Sequence, residues 1–343
     1  MRTIGCLGFV LAMLFAPAWA GPVEDAQAAW ERGDRAAALR ILRKASEGGD
    51  AGAQASLGSM YSYGIGIPRD DATAVAWYRK SAEQGHPEGQ YNMGVMYAGG
   101  RALPMDAAKA ADWYRKAADQ GHASAAFNLG MLHAEGRGVA KDEAQAIAWF
   151  HKAAELGHTG AQSNIGAFYA TGRGVPKDEA EAFKWTEMAA KGGDAVAQYN
   201  VALMYSNGEG IKKNEAAAIE WLTRSAGAAN PGAQFALAQR YLNGKGVPKN
   251  DGEAARWMLA AAERGQPKAQ AKLGFLYEDG VGVQRDPVQA CVWWSLAARQ
   301  LPDIKELAEA SCERLKSAQR KAASKRIREW QPIPSEEPSF GRH

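Results

Sequence analysis

One residue type recurs at a fixed interval and constrains the fold of this chain more than any other feature. Seven tryptophans are separated by 36 residues without a single slip. A fixed period between about 20 and 50 residues is typical of solenoids, in which each repeat buries its apolar face against its neighbours. The spacing therefore predicts seven copies of one small unit. The column consists of Trp77, Trp113, Trp149, Trp185, Trp221, Trp257 and Trp293.

A short acceptor side chain stands seven residues before each tryptophan and predicts the start of a helix, named helix B here. Asp and Asn side chains accept hydrogen bonds from the free backbone amides of a first helical turn. In four repeats a Glu or Gln follows three residues later, which predicts a capping box. The caps are Asp70, Asp106, Asp142, Asp178, Asn214, Asn250 and Asp286, and the predicted box partners are Gln145, Glu181, Glu253 and Gln289.

The segment before each cap reads as another helix, named helix A, followed by a glycine-rich turn. Its pattern is Ala-Gln-x-x-x-apolar-Gly-x-x-Tyr, and the clearest turn is Gly-Arg-Gly-Val-Pro at residues 172–176. Glycines supply the positive φ angles that tight turns need. No segment shows the strict alternation of a β-strand. The prediction is an all-α solenoid of seven 36-residue helix-turn-helix repeats over residues 50–300.

The two ends of the chain depart from the repeat. Residues 1–20 combine a basic start, a short apolar core and a small-x-small motif, which is typical of a cleavable signal peptide. The apolar run is shorter than the roughly 20 residues of a membrane-spanning helix. We therefore expect an exported chain, periplasmic or secreted, with no integral membrane span. Residues 22–48 are predicted to form an N-terminal capping helix pair and residues 301–330 C-terminal capping helices, followed by a disordered tail over 331–343.

These columns resemble the Sel1-like repeat (SLR) family, an α/α-hairpin branch of the tetratricopeptide superfamily. The family motif, Ala-x-x-x-Leu-Gly-x-x-Tyr, then Gly-x-Gly-Val, Asp, Ala and Trp-Tyr-x-Lys-Ala-Ala, is almost complete at residues 125–154 and 89–118. The resemblance covers about residues 50–300 and implies a right-handed superhelix whose A helices line the concave face. It also implies adaptor, scaffold or regulatory roles, often at bacterial envelopes, and some secreted relatives contact host proteins. The repeat defines an architecture but not a ligand.

An asparagine recurs at the same position of four successive A helices. In the tetratricopeptide pattern this position faces the groove, where amides can bond the backbone of an extended peptide. The alternative is that each asparagine satisfies a neighbouring helix or loop. A strict carboxylate clamp is disfavoured, because the aligned positions lack the Lys or Arg that it needs. The candidate ligand-binding column is Asn92, Asn128, Asn164 and Asn200.

Two other columns could be mistaken for sites. The tryptophans could form a binding platform, but small residues on either side of them favour a role in the core. His86, His122 and His158 recur one repeat apart. Equivalent positions of successive repeats are too widely separated for one metal ion, whose ligands lie at about 2 Å. No metal site is therefore expected, and His133 is interpreted as a substitute for a core tyrosine.

Two features mark the C-terminal end. Cys291 and Cys312 are the cysteines of the mature chain, and an oxidising compartment favours a disulfide that pins the C-terminal lid, against the alternative of two buried thiols. A run of basic residues could contact an anionic surface weakly. The solvated side of a capping helix is the favoured interpretation of that run. Its members are Lys316, Arg320, Lys321, Lys325, Arg326 and Arg328.

Catalytic motifs are missing from the sequence. The Gly-x-Gly turns lack the third glycine and the preceding strand of a dinucleotide fingerprint. No His-Glu-x-x-His occurs, and no serine has a lysine three positions later, as serine β-lactamases require. A net charge of +3 without clustered basic residues on a high-pI domain does not indicate nucleic acid. Neither an enzyme nor a cofactor is predicted.

The predicted function is an exported protein-protein interaction scaffold, adaptor or regulator at the bacterial cell envelope. It binds a protein or peptide segment in the concave groove. Two alternatives remain open at this point. One is a secreted factor that binds host proteins, and the other is an envelope enzyme acting on peptidoglycan or β-lactams.

Overall fold

A computed structural model describes residues 21–334 of the chain. The predicted signal peptide at residues 1–20, and residues 335–343 of the predicted tail, lie outside the described residues. Within that range the chain forms eighteen α-helices and one short 3-10 helix, with no β-strand. The predicted all-α class is confirmed.

The seven repeats contain paired helices of nearly constant length. The A helices are α3 (Ala51–Tyr63), α5 (Pro87–Gly99), α7 (Ala123–Glu135), α9 (Thr159–Thr171), α11 (Ala195–Asn207), α13 (Pro231–Asn243) and α15 (Pro267–Asp279). The B helices are α4 (Asp71–Glu83), α6 (Ala107–Ala118), α8 (Glu143–Glu155), α10 (Glu179–Lys191), α12 (Glu215–Gly227), α14 (Asp251–Glu263) and α16 (Pro287–Ala297).

Further helices flank the repeats. The N-terminal pair is α1 (Pro22–Glu31) and α2 (Arg35–Glu47). After α16 come the 3-10 helix (Pro302–Ile304), α17 (Lys305–Glu313) and α18 (Ser317–Glu329). Beyond α18 the described residues 331–334 form no helix, and the backbone N–H of Ile333 donates to the carbonyl of Glu263 at 2.8 Å.

The helices form two compact units, divided between Lys177 and Asp178. Unit 1 contains α1 to α9, and unit 2 contains α10 to α18. Within each unit successive helices pack against one another. Each B helix therefore contacts the A helix of its own repeat, of the next repeat, or both.

The starts of the B helices agree with the sequence pattern. All seven predicted Asp and Asn caps accept hydrogen bonds from backbone amides of the first turn. The capping boxes predicted at Glu181 and Glu253 do not form. These carboxylates pair with the exposed cations of Lys184 and Arg256 three residues later, because a charged partner on the same helix face attracts them.

Where helices A and B are in contact, a small residue on helix A faces a larger residue on helix B. A Cβ added to Gly58, Gly94, Gly130 or Gly274 would lie 2.5–2.7 Å from an aromatic ring of helix B, closer than atoms can pack. The glycine is therefore required wherever the facing residue is aromatic. At the same register, two repeats of unit 2 combine an alanine with an aliphatic residue. The aromatic residues are Tyr78, Tyr114, Phe150 and Trp294, and the alanine pairs are Ala202 with Leu222 and Ala238 with Met258.

Two of the turns after the B helices lack the usual glycine, and one of the two keeps the same shape. Gly85, Gly193 and their equivalents have positive φ angles. Ala229 replaces this glycine and still has a φ of 63°. The neighbouring helices impose the left-handed conformation although it is unfavourable for alanine. Leu301, by contrast, has a φ of −122°, so the chain leaves α16 in a different conformation.

Candidate functional site

The predicted asparagine column occupies the sixth position of its A helices, and in unit 1 its amides bond within the protein. Asn92 is 5% exposed, and its Nδ2 donates to the backbone oxygen and to Oε1 of Glu88 at 3.0 and 2.9 Å. Nδ2 of Asn164 donates to the backbone oxygen of Gly160 at 3.0 Å. These bonds occupy donors that a peptide backbone would need.

Glu88 lies at the centre of a polar network in unit 1. Nδ1 of His122 accepts the backbone N–H of Ala125 at 3.2 Å, so the proton of the neutral ring is on Nε2. Nε2 then donates to Oε2 of Glu88 at 3.1 Å. Desolvation acts to raise the pKa of Glu88, but the hydrogen bonds from His122 and Asn92 outweigh it and lower the pKa. The carboxylate is therefore held in its charged form.

Aromatic rings form one side of this network. The His122 ring stacks on Tyr91 with centroids 4.4 Å apart, and Tyr91 lies 5.9 Å from Tyr114. Burial raises the pKa of the Tyr114 hydroxyl to about 12, although a hydrogen bond from the half-buried Asn128 acts to lower it. Burial raises the pKa of Tyr91 as well. Both phenols stay protonated at physiological pH, so Asn128 contacts neutral hydroxyl groups.

The histidine column has a structural role that the sequence analysis did not assign. His86, His122 and His158 are the N-caps of α5, α7 and α9. His122 and His158 accept backbone amides through Nδ1, at 3.2 and 3.1 Å. His86 makes no cap bond, its Nδ1 is buried without a partner, and burial lowers its pKa. The repeat spacing could have predicted this role, because His86 stands 36 residues after Asp50, the N-cap of α3.

The A helices of unit 2 present a different surface. Asn200 is exposed, and so are Val196 and Leu203 on the same face of α11, at 48% and 37%. Phe275 on α15 occupies the position equivalent to Leu203 and is 40% exposed, with one edge against Trp294. We name these four residues the unit 2 A-face. Sequence reasoning identified Asn200 alone, because the pattern does not show which apolar residues stay exposed.

The tryptophan column is less buried than a core role implies. Five of its members are half-buried, while Trp221 and Trp293 are 8% and 7% exposed. In six repeats a cation of helix B lies over the indole ring. The contacts, with distances from the cation to the ring centroid of 4.1–5.9 Å, are Lys80 on Trp77, Lys116 on Trp113, Lys152 on Trp149, Lys184 on Trp185, Arg224 on Trp221 and Arg256 on Trp257.

Both C-terminal features of the sequence have a definite place. The structure brings Cys291 of α16 and Cys312 of α17 together as a disulfide pair, with Cα atoms 5.0 Å apart. The predicted basic residues lie at the start of α18 and along it, exposed to solvent. The guanidinium of Arg320 donates to the backbone oxygen of Glu313 at the end of α17, so at least one of them stabilises the lid itself. Anionic contact through the others stays a prediction.

Residues 21–334 contain neither a metal centre nor a membrane-spanning helix. That part of the chain contains no group of three His, Cys, Asp or Glu side chains that could hold a metal ion. None of its helices combines the length and the apolar character needed to cross a membrane.

The repeats identify the family. The model of the Sel1 repeat matches eight segments that together cover most of the chain. This chain belongs to the Sel1 repeat family. Seven of the matches coincide with the A and B helix pairs, and the first is a partial repeat that contains α2. The matched residues are 31–50, 51–86, 87–122, 123–158, 159–194, 195–230, 231–266 and 267–300.

Two solved structures of Sel1 repeat proteins resemble the chain along most of its length. A Sel1 repeat protein from Oxalobacter formigenes is 29% identical, with a TM-score of 0.66, over 90% of this chain and 99% of that one. A protective antigen present in uropathogenic Escherichia coli strains, which displays an SLR fold, is 27% identical with a TM-score of 0.50. That match covers 85% of this chain and 86% of the antigen.

The family describes a class of function and leaves the ligand open. Sel1 repeats form a non-catalytic fold that generally serves as a protein-protein interaction scaffold. No curated protein shows significant similarity to the chain. The family alone therefore does not identify the partner of this chain.

Proposed function

We propose that this Sel1 repeat protein is an exported scaffold at the bacterial cell envelope, acting as an adaptor or regulator. It binds an extended segment of a partner protein on the unit 2 A-face. The observation that carries the proposal is the simultaneous exposure of Val196, Asn200 and Leu203 on one side of α11. Exposed apolar side chains that flank a polar amide are typical of protein-binding surfaces.

The spacing on α11 and α15 fits an extended segment. Residues four and three apart lie on one helix face, so the three α11 residues form a continuous stripe. Leu203 and Phe275 stand in the same column two repeats apart. Apolar side chains of a partner can contact these two residues, while Asn200 bonds its backbone through one donor and one acceptor group. The apolar residues thus provide affinity, and the amide of Asn200 fixes the register of the bound segment.

The unit 1 asparagines are assigned a different role in this proposal. Asn92 and Asn164 donate back to their own helices, and Asn128 contacts the tyrosine hydroxyls. A partner would have to break these bonds before it could use the amides. We therefore confine the peptide-binding part of the predicted column to Asn200 and its neighbours on the unit 2 A-face.

The test is an in-cell crosslinking pull-down of the tagged protein. Leu203→Glu places a charge in the middle of the stripe, and we expect at least about a tenfold loss of the captured partner, the size of a moderate hot spot. Met188→Glu is the matched control, because Met188 on α10 is similarly exposed, at 40%. Equal capture by both variants, with helicity and melting temperature unchanged, would contradict the proposal.

Export to the envelope is supported by the signal-peptide pattern of residues 1–20 and by the cysteine pair. A second function, a secreted factor that binds host proteins, is favoured by the likeness to the antigen of uropathogenic Escherichia coli strains. Fractionation of a producing culture distinguishes them. Protein in the periplasmic fraction supports the envelope scaffold, and protein in the cell-free medium supports the secreted factor.

A further inference from the structure

The seventh tryptophan of the column differs from the other six. Each of those carries a lysine or arginine of the chain over its ring. In four of the six repeats this cation stands three residues after the tryptophan, where the seventh repeat has Leu296, and in the other two it directly precedes the tryptophan. No cation of residues 21–334 lies over Trp293. Cations are attracted to the face of an indole ring, most strongly where water is excluded.

An open pocket of ≈ 380 Å³ lies beside Trp293 in unit 2. Helix α14 provides one wall through Glu263, α16 provides another, and α18 provides a third through Arg326, Glu329 and the following Trp330. The pocket thus places two indole rings, two carboxylates and one guanidinium around one volume. It is large enough for a molecule of about ten non-hydrogen atoms.

The polar groups of this pocket lack partners within the described chain. Trp293 is 7% exposed, and its Nε1–H is buried without an acceptor. An unsatisfied buried donor costs about 1–3 kcal/mol, so it indicates a place for an acceptor atom. Glu263, Arg326 and Glu329 form no ion pair within residues 21–334. Acceptors and donors for a ligand are therefore both present.

We propose that this pocket binds a small zwitterion that carries an ammonium group and an anionic group a few bonds apart. The ammonium group lies against the indole rings, between the carboxylates of Glu263 and Glu329. The anionic group accepts hydrogen bonds from Nε1 of Trp293 and from Arg326. A simple cation would leave these two donors unpaired, and a simple anion would face two carboxylates.

Calorimetric titration of the full-length protein tests the proposal with four probes. Glycine betaine and phosphocholine are zwitterions whose anions are a carboxylate and a phosphate, so comparing them identifies the preferred anion. Choline and inorganic phosphate each carry one of the two charges. We expect at least one zwitterion to bind, with choline weaker and phosphate silent. Absence of binding for both zwitterions would overturn the proposal.

Exposed residues of α18 provide variants that should remain folded. Glu329→Gln removes a carboxylate beside the ammonium group and should weaken the zwitterion about tenfold, the usual size for a charged hydrogen bond. Arg326→Gln should weaken the zwitterion but leave choline unchanged. Arg328→Gln is the matched control, since this neighbouring exposed residue does not line the pocket. Equal affinities in the Glu329 and Arg328 variants would contradict the assignment.

Discussion

Units 1 and 2 are built on the same repeat but use its variable positions differently. In unit 1 the A helices after the first begin with histidine caps, and Glu88 and Asn92 close a polar network on their surface. In unit 2 the corresponding caps are Asp194, Asn230 and Gln266, and apolar side chains of the A helices remain exposed. Caps and glycines thus define the repeat in both units, while the exposed faces of the A helices differ between them.

The cores of the two units differ as well. Unit 1 has three glycine and aromatic pairs between helices A and B, ending with Gly130 and Phe150. Unit 2 has two alanine and aliphatic pairs and one glycine and aromatic pair, Gly274 with Trp294. In both arrangements a larger residue on one helix is matched by a smaller one on the other. Both solutions therefore occur among repeats of the same length.

The largest predicted difference between the units concerns the cysteine pair, which belongs to unit 2 alone. Its partners are 21 residues apart, and a disulfide closing a loop of this length stabilises by about 3 kcal/mol in the chain-entropy account. We therefore expect Cys312→Ala to lower the free energy of unfolding of unit 2 by about 3 kcal/mol. Urea unfolding followed by hydrogen exchange measures each unit separately.

The control for the cysteine variant is the wild-type protein under reducing conditions, which should unfold like the variant. Equal loss of protection in α5 and α16 would contradict a stabilisation confined to unit 2. Alkylation of two free thiols in the native protein, detected by mass, would show that the cysteines are reduced.

The packing comparison makes the next prediction. Gly94→Ala places a Cβ 2.6 Å from the Tyr114 ring, and overpacking of this kind costs about 1–3 kcal/mol. Adding Tyr114→Leu recreates the alanine and aliphatic pair of unit 2 and should recover most of that loss. Thermal unfolding of both variants measures the effect. A double variant no more stable than Gly94→Ala would show that the two pairings are not interchangeable.

The smallest predicted effect concerns the caps. His86→Asn should form the cap bond that Asn230 makes in unit 2, and stabilise unit 1 by about 1 kcal/mol. Because burial lowers the pKa of His86 below the ordinary 6.5, the unfolded chain takes up its proton first as the pH falls. Wild-type stability should therefore decrease below about pH 6.5.

Urea unfolding at about pH 7.5 and about pH 5.5, on either side of the ordinary histidine pKa, tests both parts of the cap prediction. The Asn variant should lose less stability than wild type between the two conditions. Gln266→Asn in unit 2 is the control, because it alters a cap without removing a histidine. An identical pH dependence in wild type and His86→Asn would contradict the role given to His86.

The helix boundaries and turns were predictable from the sequence because they depend on local interactions. A cap such as Asp70 bonds amides two and three residues away, and the glycine turns need only their own φ angles. The contacts of a surface residue, by contrast, depend on residues that are far away in the sequence. Asn92 is tied to Glu88, whose other oxygen receives His122, 34 residues further along the chain. The sequence pattern therefore makes the four asparagines look equivalent, although their surroundings differ in the structure.

The most direct test of partner binding at the unit 2 A-face compares equivalent positions of the two units. Ala167 of α9 and Gln239 of α13 are both exposed ninth residues of A helices, one in each unit. A photocrosslinking amino acid is placed at either position and activated in cells that produce the protein. If the partner binds the unit 2 A-face, position 239 gives a partner adduct and position 167 gives none. An adduct from position 167 alone would contradict it and return the binding site to the asparagines of unit 1.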